Sequence, residues 1–306
     1  MKNEIKTEKN NIITKIITMN IDKVLLFGYN GMLGNYINKY FQNREDIKLY
    51  KIPFLINTKT INTIEEFILR EKYPLDSNTC IINCIGLIPQ RKGNKSDADY
   101  FLVNSLFPNL LWNIVKKYGC KMIQPTTDCV FSGLKGSYSE MDEPDEENMY
   151  GKSKYMGEPY DCGCTVIRTS IIGREEFNKK SFMEWVLNTY ESGQVVNGFS
   201  NHIWNGITCL EYCKIIEKII KENLFWSGVR HIYSPTKKTK YELAKIIIET
   251  FFENKNVDYE RIVELNHNIH TCIVDKTLCS IYNNSEIFQI KELEEQIKDL
   301  KTFDIC

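Results

Sequence analysis

The chain has 306 residues, enough to bury a substantial core either as one large α/β unit or as a nucleotide-binding domain with a smaller lobe attached. Its 39 Lys and Arg balance 40 Asp and Glu, so it lacks the positive excess that neutralises a phosphate backbone, and a nucleic-acid partner is disfavoured. The longest apolar runs, such as residues 81–88, stop far short of the ~20 residues of a spanning helix, and no membrane segment is expected.

Residues 1–19 read as a loosely ordered polar tail, rich in Lys, Asn and Glu, without the apolar stretch and small-residue cleavage site of a secretory signal. Eleven cysteines without paired C-x-x-C motifs indicate neither a disulfide framework nor a structural zinc site, and no metal site is predicted. Packed as small hydrophobes, they suit a reducing, cytoplasmic compartment.

From Lys23 onward short β-rich runs alternate with longer amphipathic stretches, the pattern of βαβ units in a parallel sheet. Strands are predicted at 24–27, 47–52, 80–85 and 121–125. Between them lie helices at 32–41, 61–71 and 100–118, the last closing at Gly119. A helix at 149–158, a strand at 164–168 and an amphipathic helix at 181–190 with Trp185 on its apolar side follow. After Gly206 the order is mixed. A helix at 208–223 and a strand at 229–233 precede Thr239 and Glu242, a capping box that opens a helix to Phe252. A strand near 271–274 and a helix at 291–300 end the chain. The reading is an α/β protein: a tail (1–19), a nucleotide-binding domain (20–170), and residues 171–306 mainly as a smaller lobe, with some segments returning to the first domain.

Directly after the first strand stands Gly28-Tyr29-Asn30-Gly31-Met32-Leu33-Gly34. A G-x-x-G-x-x-G loop entering a helix combines a tight turn, close backbone approach to a pyrophosphate and free helix N–H groups. Glycines alone also make ordinary βα turns; their place at the first strand of a βαβ series favours a dinucleotide. At the end of the second strand Lys51 stands where an acidic residue would bind a ribose 2′-hydroxyl, which leans towards NADPH, with NADH as the alternative. Asn83-Cys84-Ile85-Gly86 ends the third strand at the crevice and offers backbone to the riboses.

The most informative residues are Thr127, Tyr150 and Lys154. Tyr150 and Lys154, four apart, share one helical face. An ammonium beside a phenol is expected to lower its pKa and make it a usable acid/base, worth about 100- to 10,000-fold in rate. Thr127, at a strand end, is placed to hold the same substrate oxygen. Nicotinamide would supply hydride to a ketone carbon while Tyr150 protonates its oxygen and Lys154 holds the ribose.

These motifs, with T-T-D-C-V-F-S-G at 126–133, G-S-Y-S-E at 136–140 and Y-G-K-S-K-Y-M-G-E at 150–158, resemble the dTDP-4-dehydrorhamnose reductase family, a branch of the extended short-chain dehydrogenases. The resemblance runs from about residue 22 to the C-terminus and is specific mainly up to Arg168-Thr169-Ser170. It implies a Rossmann-type doubly wound parallel sheet with a smaller C-terminal α/β lobe for the nucleotide sugar. It also implies Thr127, Tyr150 and Lys154 as the catalytic triad, and cofactor contacts from Met32, Leu33, Cys84, Ile85 and Asn104. Asp128, Trp204 and Asn205 become candidate substrate contacts, with Trp204 equally readable as a core residue beside a turn. The partner implied is a nucleotide sugar, with a homodimer as the candidate assembly.

Two features depart from the family. Ile171 stands where the reductases carry an aromatic residue, and residues 197–206 resemble relatives acting on UDP-linked 2-acetamido-6-deoxy sugars. Cys129 matches the region in which GDP-fucose synthases and plant rhamnose synthases carry an epimerisation base, for which Lys179 or Lys180 would be the partner acid; otherwise it is a packed replacement for the tyrosine common in the reductases. The resemblance leaves two rivals to a 4-keto reductase: a redox-neutral epimerase or dehydratase holding NAD, and a non-catalytic regulatory subunit like that of methionine adenosyltransferase.

Overall fold

The computed structural model describes residues 20–305 except 92, 94, 178, 254 and 266–272; the polar tail and the first two residues of the strand expected at 271–274 lie outside the described residues. The first half of the chain runs β1 (Lys23–Phe27), α1 (Met32–Phe41), β2 (Lys48–Ile52), α2 (Ile64–Arg70), β3 (Thr79–Asn83), α3 (Asp97–Phe101), a π turn (Leu102–Leu106), α4 (Phe107–Tyr118), β4 (Lys121–Thr127), α5 (Met149–Met156) and β5 (Cys164–Thr169). The helical run predicted from residue 100 begins three residues earlier, because Ser96 and Asp99 form a capping box.

The second half runs β6 (Ile171–Ile172), α6 (Phe182–Glu191), β7 (Val196–Phe199), β8 (His202–Trp204), β9 (Ile207–Thr208), α7 (Cys209–Lys221), β10 (Gly228–His231), β11 (Lys238–Thr239), α8 (Lys240–Phe251), β12 (Ile262–Leu265), β13 (Val274–Asp275), α9 (Asn284–Phe288) and α10 (Leu293–Ile305). The capping box of Thr239 and Glu242 is present at the start of α8. Trp185 is 40% exposed, contrary to expectation. The stripe that α6 buries is Met183, Val186, Leu187 and Tyr190, at helical spacing, and Trp185 falls outside it. None of the helices among the described residues is long and apolar enough to cross a membrane.

Six strands form one parallel sheet in the order β2-β1-β3-β4-β5-β10. Successive side chains point to opposite faces, so Val24, Leu26, Ile82 and Ile167 enter one core while Leu25, Phe27, Ile81 and Val166 enter the other. Burial on both faces is why these strands read as continuous apolar runs. The first core is closed by α1, α6, α7, α8 and α10, the second by α2 and α4. The lobe holds small sheets: β11-β8-β13, and the parallel pairs β12-β7 and β6-β9, whose non-local pairing leaves little local sequence signal. Strand order reverses between β1 and β3, which opens a crevice at their carboxyl ends.

Candidate active site

The glycine loop lies in that crevice. Gly28 has φ +74°, and a Cβ there would stand 2.6 Å from the carbonyl carbon of Cys84; a Cβ on Gly34 would stand 2.1 Å from the Gly28 oxygen. The loop therefore packs against the end of β3 at a distance only glycine allows. At the start of α1 the N-cap is Gly31, with no side-chain cap and no acidic residue in the first turn, so its N–H groups stay available to an anion. These are the features a pyrophosphate requires, and the residues present fit a dinucleotide. Lys51 is exposed at the end of β2, 5.9 Å from the centre of the Tyr29 ring.

The side chains of the proposed triad converge at the end of β4. Asn148 caps α5 by accepting from the Gly151 N–H at 2.9 Å, which sets the helix phase so that Tyr150 and Lys154 share a face. A bidentate pair between Arg168 and Glu158, at 2.9 and 2.6 Å, is buried between β5 and the end of α5, and Thr126 donates to the same carboxylate at 2.8 Å. This network ties the helix to β4 and β5. The Thr127 hydroxyl donates to Asp128 at 3.2 Å and accepts from the Cys129 N–H at 3.1 Å.

The electrostatics differ from the expectation of a lowered phenol. Burial pushes Tyr150 well above its ordinary value, Cys129 adds to this, and the neighbouring Thr127 hydroxyl opposes it. The Lys154 ammonium donates instead to the Pro125 carbonyl at 3.0 Å, and burial brings its amine down to about 8. For Lys154 desolvation outweighs the opposing charge of Glu158, whereas for Tyr150 desolvation and the neighbouring Cys129 and Asp128 act together. A phenol held protonated is the form required to give a proton to a developing alkoxide.

A family model described as the RmlD substrate binding domain matches residues 22–271, well over half of the chain. The chain belongs to that family. Among curated proteins it is similar to the spore coat polysaccharide biosynthesis protein SpsK of Bacillus subtilis, at 26% identity over 74% of this chain and 78% of that one. It is also similar to the methionine adenosyltransferase 2 subunit beta of Danio rerio, at 23% identity over 75% of this chain and 74% of the other. Among solved structures, a dTDP-4-dehydrorhamnose reductase of Bacillus anthracis in complex with NADP superposes with a TM-score of 0.72 at 20% identity, over 91% of this chain and 97% of that one. One from Clostridium acetobutylicum gives the same TM-score at 19% identity, over 93% and 100%. These likenesses bear out the Rossmann-type fold.

For this member of the RmlD family the remaining candidates fall into two sets. Met32, Leu33, Cys84 and Ile85 line up at the glycine loop and the end of β3, with Leu33 buried in the core under α1 and the Cys84 thiol pushed up to about 12 by burial. Asn104, in the π turn, spends its amide on Leu87, whose N–H donates to it at 2.8 Å and whose carbonyl accepts from it at 3.0 Å, and on the Ser153 hydroxyl at 3.1 Å. It braces the crevice wall against α5. The Asn205 amide is likewise consumed, by both backbone groups of Leu278 at 2.8 and 2.9 Å.

Trp204 is 3% exposed and Asp128 is 5% exposed. Burial raises the Asp128 carboxyl while Lys240 and Lys276 oppose the rise. Lys179 and Lys180, offered as acid partners of Cys129, are both exposed on the loop before α6. The lysine whose charge lowers the Cys129 thiol is Lys276; burial nonetheless pushes the thiol up to about 12, with Asp128 adding to the rise. Lys276 and Lys240 escaped the sequence reading. Lys240 sits inside the Thr239–Glu242 capping box, and nothing local distinguishes it from a surface lysine. Part of the motif region is architecture: Glu140 accepts from the His231 N–H at 2.7 Å, the Ser280 hydroxyl at 2.6 Å and the Ile281 N–H at 2.9 Å.

Proposed function

We propose that the chain is an NADPH-dependent reductase of the 4-keto group of a nucleotide-linked 4-keto-6-deoxyhexose. The carrier is dTDP or UDP, and the 197–206 segment favours a 2-acetamido sugar. The observation that carries this reading is the convergence of Thr127, Tyr150 and Lys154 beside a loop that only glycines can form. NADPH, when bound, supplies the hydride to the carbonyl carbon. Tyr150, kept protonated by burial, gives its proton to the carbonyl oxygen as negative charge develops there. The Thr127 hydroxyl holds that oxygen in line, and the Lys154 ammonium bonds the nicotinamide ribose. Lys51 takes the 2′-phosphate at the end of β2. A reductase without epimerisation fits Cys129 better, since burial disfavours the thiolate an epimerisation base requires.

Similarity to a methionine adenosyltransferase subunit favours a second reading, a regulatory subunit that binds a nucleotide and does no chemistry. The two separate in one experiment: NADPH and NADH oxidation with dTDP- and UDP-linked 4-keto-6-deoxyhexoses, with and without a 2-acetamido group. Turnover is expected to fall by about 100-fold or more in Tyr150→Phe, with cofactor affinity retained. Cofactor binding without turnover on any sugar would leave the regulatory reading standing.

A further inference from the structure

The lobe brings one cation to the crevice that the steps above do not use. Lys240 is the first residue of α8, whose start is fixed by its capping box. Its Nζ lies 4.7 Å from the ring centres of both Phe182 and Trp204. Two aromatic faces exclude water from the amine while still favouring a positive charge. The acidic groups nearest it are the Asp128 carboxyl and the Cys129 thiol, the latter held neutral by burial, and neither is hydrogen-bonded to it. Lys276 feels the same two groups but already pairs with Glu146 at 2.8 Å.

Burial lowers the Lys240 amine to about 8, against the pull of Asp128 and Cys129. The indole N–H of Trp204 is also buried and has no acceptor among the described residues. Lys240 is thus a half-buried cation without a carboxylate within 4 Å among the described residues, and an anion entering the crevice can pair with it. The lobe side chains are therefore arranged for negative charge at a point facing the end of β4.

We propose that Lys240 binds the phosphate of a nucleoside diphosphate group, the one anionic part of a nucleotide-linked sugar, and so holds the substrate on the lobe. The inference rests on the nucleotide-sugar reading and adds to it the residue that grips the diphosphate. With the phosphate held by the lobe, the sugar ring is left facing Thr127 and Tyr150. Lys240 thereby sets which substrates are retained and where the ketone sits, without touching the reacting atoms.

The test is calorimetric titration of UDP, dTDP, UMP and dTMP into the full chain and into Lys240→Met and Lys240→Arg. Diphosphate affinity is expected to fall roughly 30-fold in Lys240→Met, the loss that follows from removing one partner of a desolvated charge pair. Monophosphate affinity should change by less than about 3-fold, and Lys240→Arg should recover most of the diphosphate loss. Unchanged diphosphate affinity in Lys240→Met, or an equal loss for mono- and diphosphates, overturns the assignment. Wild-type protein that binds none of the four nucleotides overturns the nucleotide-sugar reading beneath it. If Lys240→Met does not give a native circular dichroism spectrum, Lys240→Gln, which keeps a polar chain without the charge, provides the same comparison.

Discussion

In the central sheet the buried Asn83 amide donates to Gln124 across β3 and β4 at 2.9 Å and accepts from the Ile85 N–H at 3.2 Å, and the Gln124 amide donates to the Pro125 carbonyl at 3.0 Å. In the lobe, by contrast, the buried Asn201 oxygen, the Trp204 indole nitrogen and the Ser234 hydroxyl have no partner. Among the described residues every buried side-chain nitrogen or oxygen without a partner belongs to residues 184–284. Each such group costs about 1–3 kcal/mol if nothing meets it. The buried side-chain groups of the sheet are satisfied within the chain, whereas the unsatisfied ones gather in its later half, with Asn201, Trp204 and Ser234 among them on the lobe.

The largest effect that sharpens this contrast is Ile81→Ala. Fully buried in the second core, it should lower unfolding free energy by about 2–5 kcal/mol in urea denaturation, with one transition for the whole chain. A separate, unchanged transition of the lobe would break the comparison. Next, a nucleoside diphosphate at about 100 times its Kd should stabilise by roughly 2.7 kcal/mol. Hydrogen exchange should locate that protection in residues 196–208 and 234–242, and equal slowing in β1 and β3 would contradict it.

A smaller effect concerns pH. The amines of Lys154 and Lys240 are lowered to about 8 from 10.5, so folding expels protons between those values and the unfolded chain binds more of them. Stability should rise from about pH 8 towards 10.5, and the penalty of the two buried charges is fully present below 8. Lys240→Met removes one of them and should raise Tm by roughly 2–4 °C at pH 7, a gain that vanishes near pH 10.5. A lower Tm at pH 7 would show that packing of the lysine stem outweighs its charge. The smallest effect is Lys51→Ala, expected to raise the KM for NADPH about 5-fold and leave that for NADH unchanged, since an exposed charge pair contributes up to about 1 kcal/mol.

Much of the first half was readable because its signals are local. A glycine triplet after an apolar run, two residues four apart on one helix and a glycine at a helix end each declare themselves within ten residues. The role of Asn104 within the π turn has no local signal, because its partners Leu87 and Ser153 lie across the chain. The lowered phenol was misjudged for a related reason: spacing put Lys154 near Tyr150 but could not count the water removed from both. In the lobe, β7 pairs with β12 and β6 with β9, partners more than 30 residues apart, so no short window held the pattern. Lys240 gains its environment from Phe182, Trp204 and Asp128, three separate elements, and only the folded chain assembles them.

The return of β10 to the edge of the six-stranded sheet bears on how the molecule is divided. Between β5 and β10 the chain leaves the sheet through β6 to β9, comes back with α7 against α1, and departs again after residue 231. No single cut separates the two regions, and truncation at residue 170 would strip β5 of its neighbour and expose an unpaired edge. A chimera that transplants the lobe of a relative must exchange residues 171–208 and 232–292 as two inserts and keep 209–231 with the host.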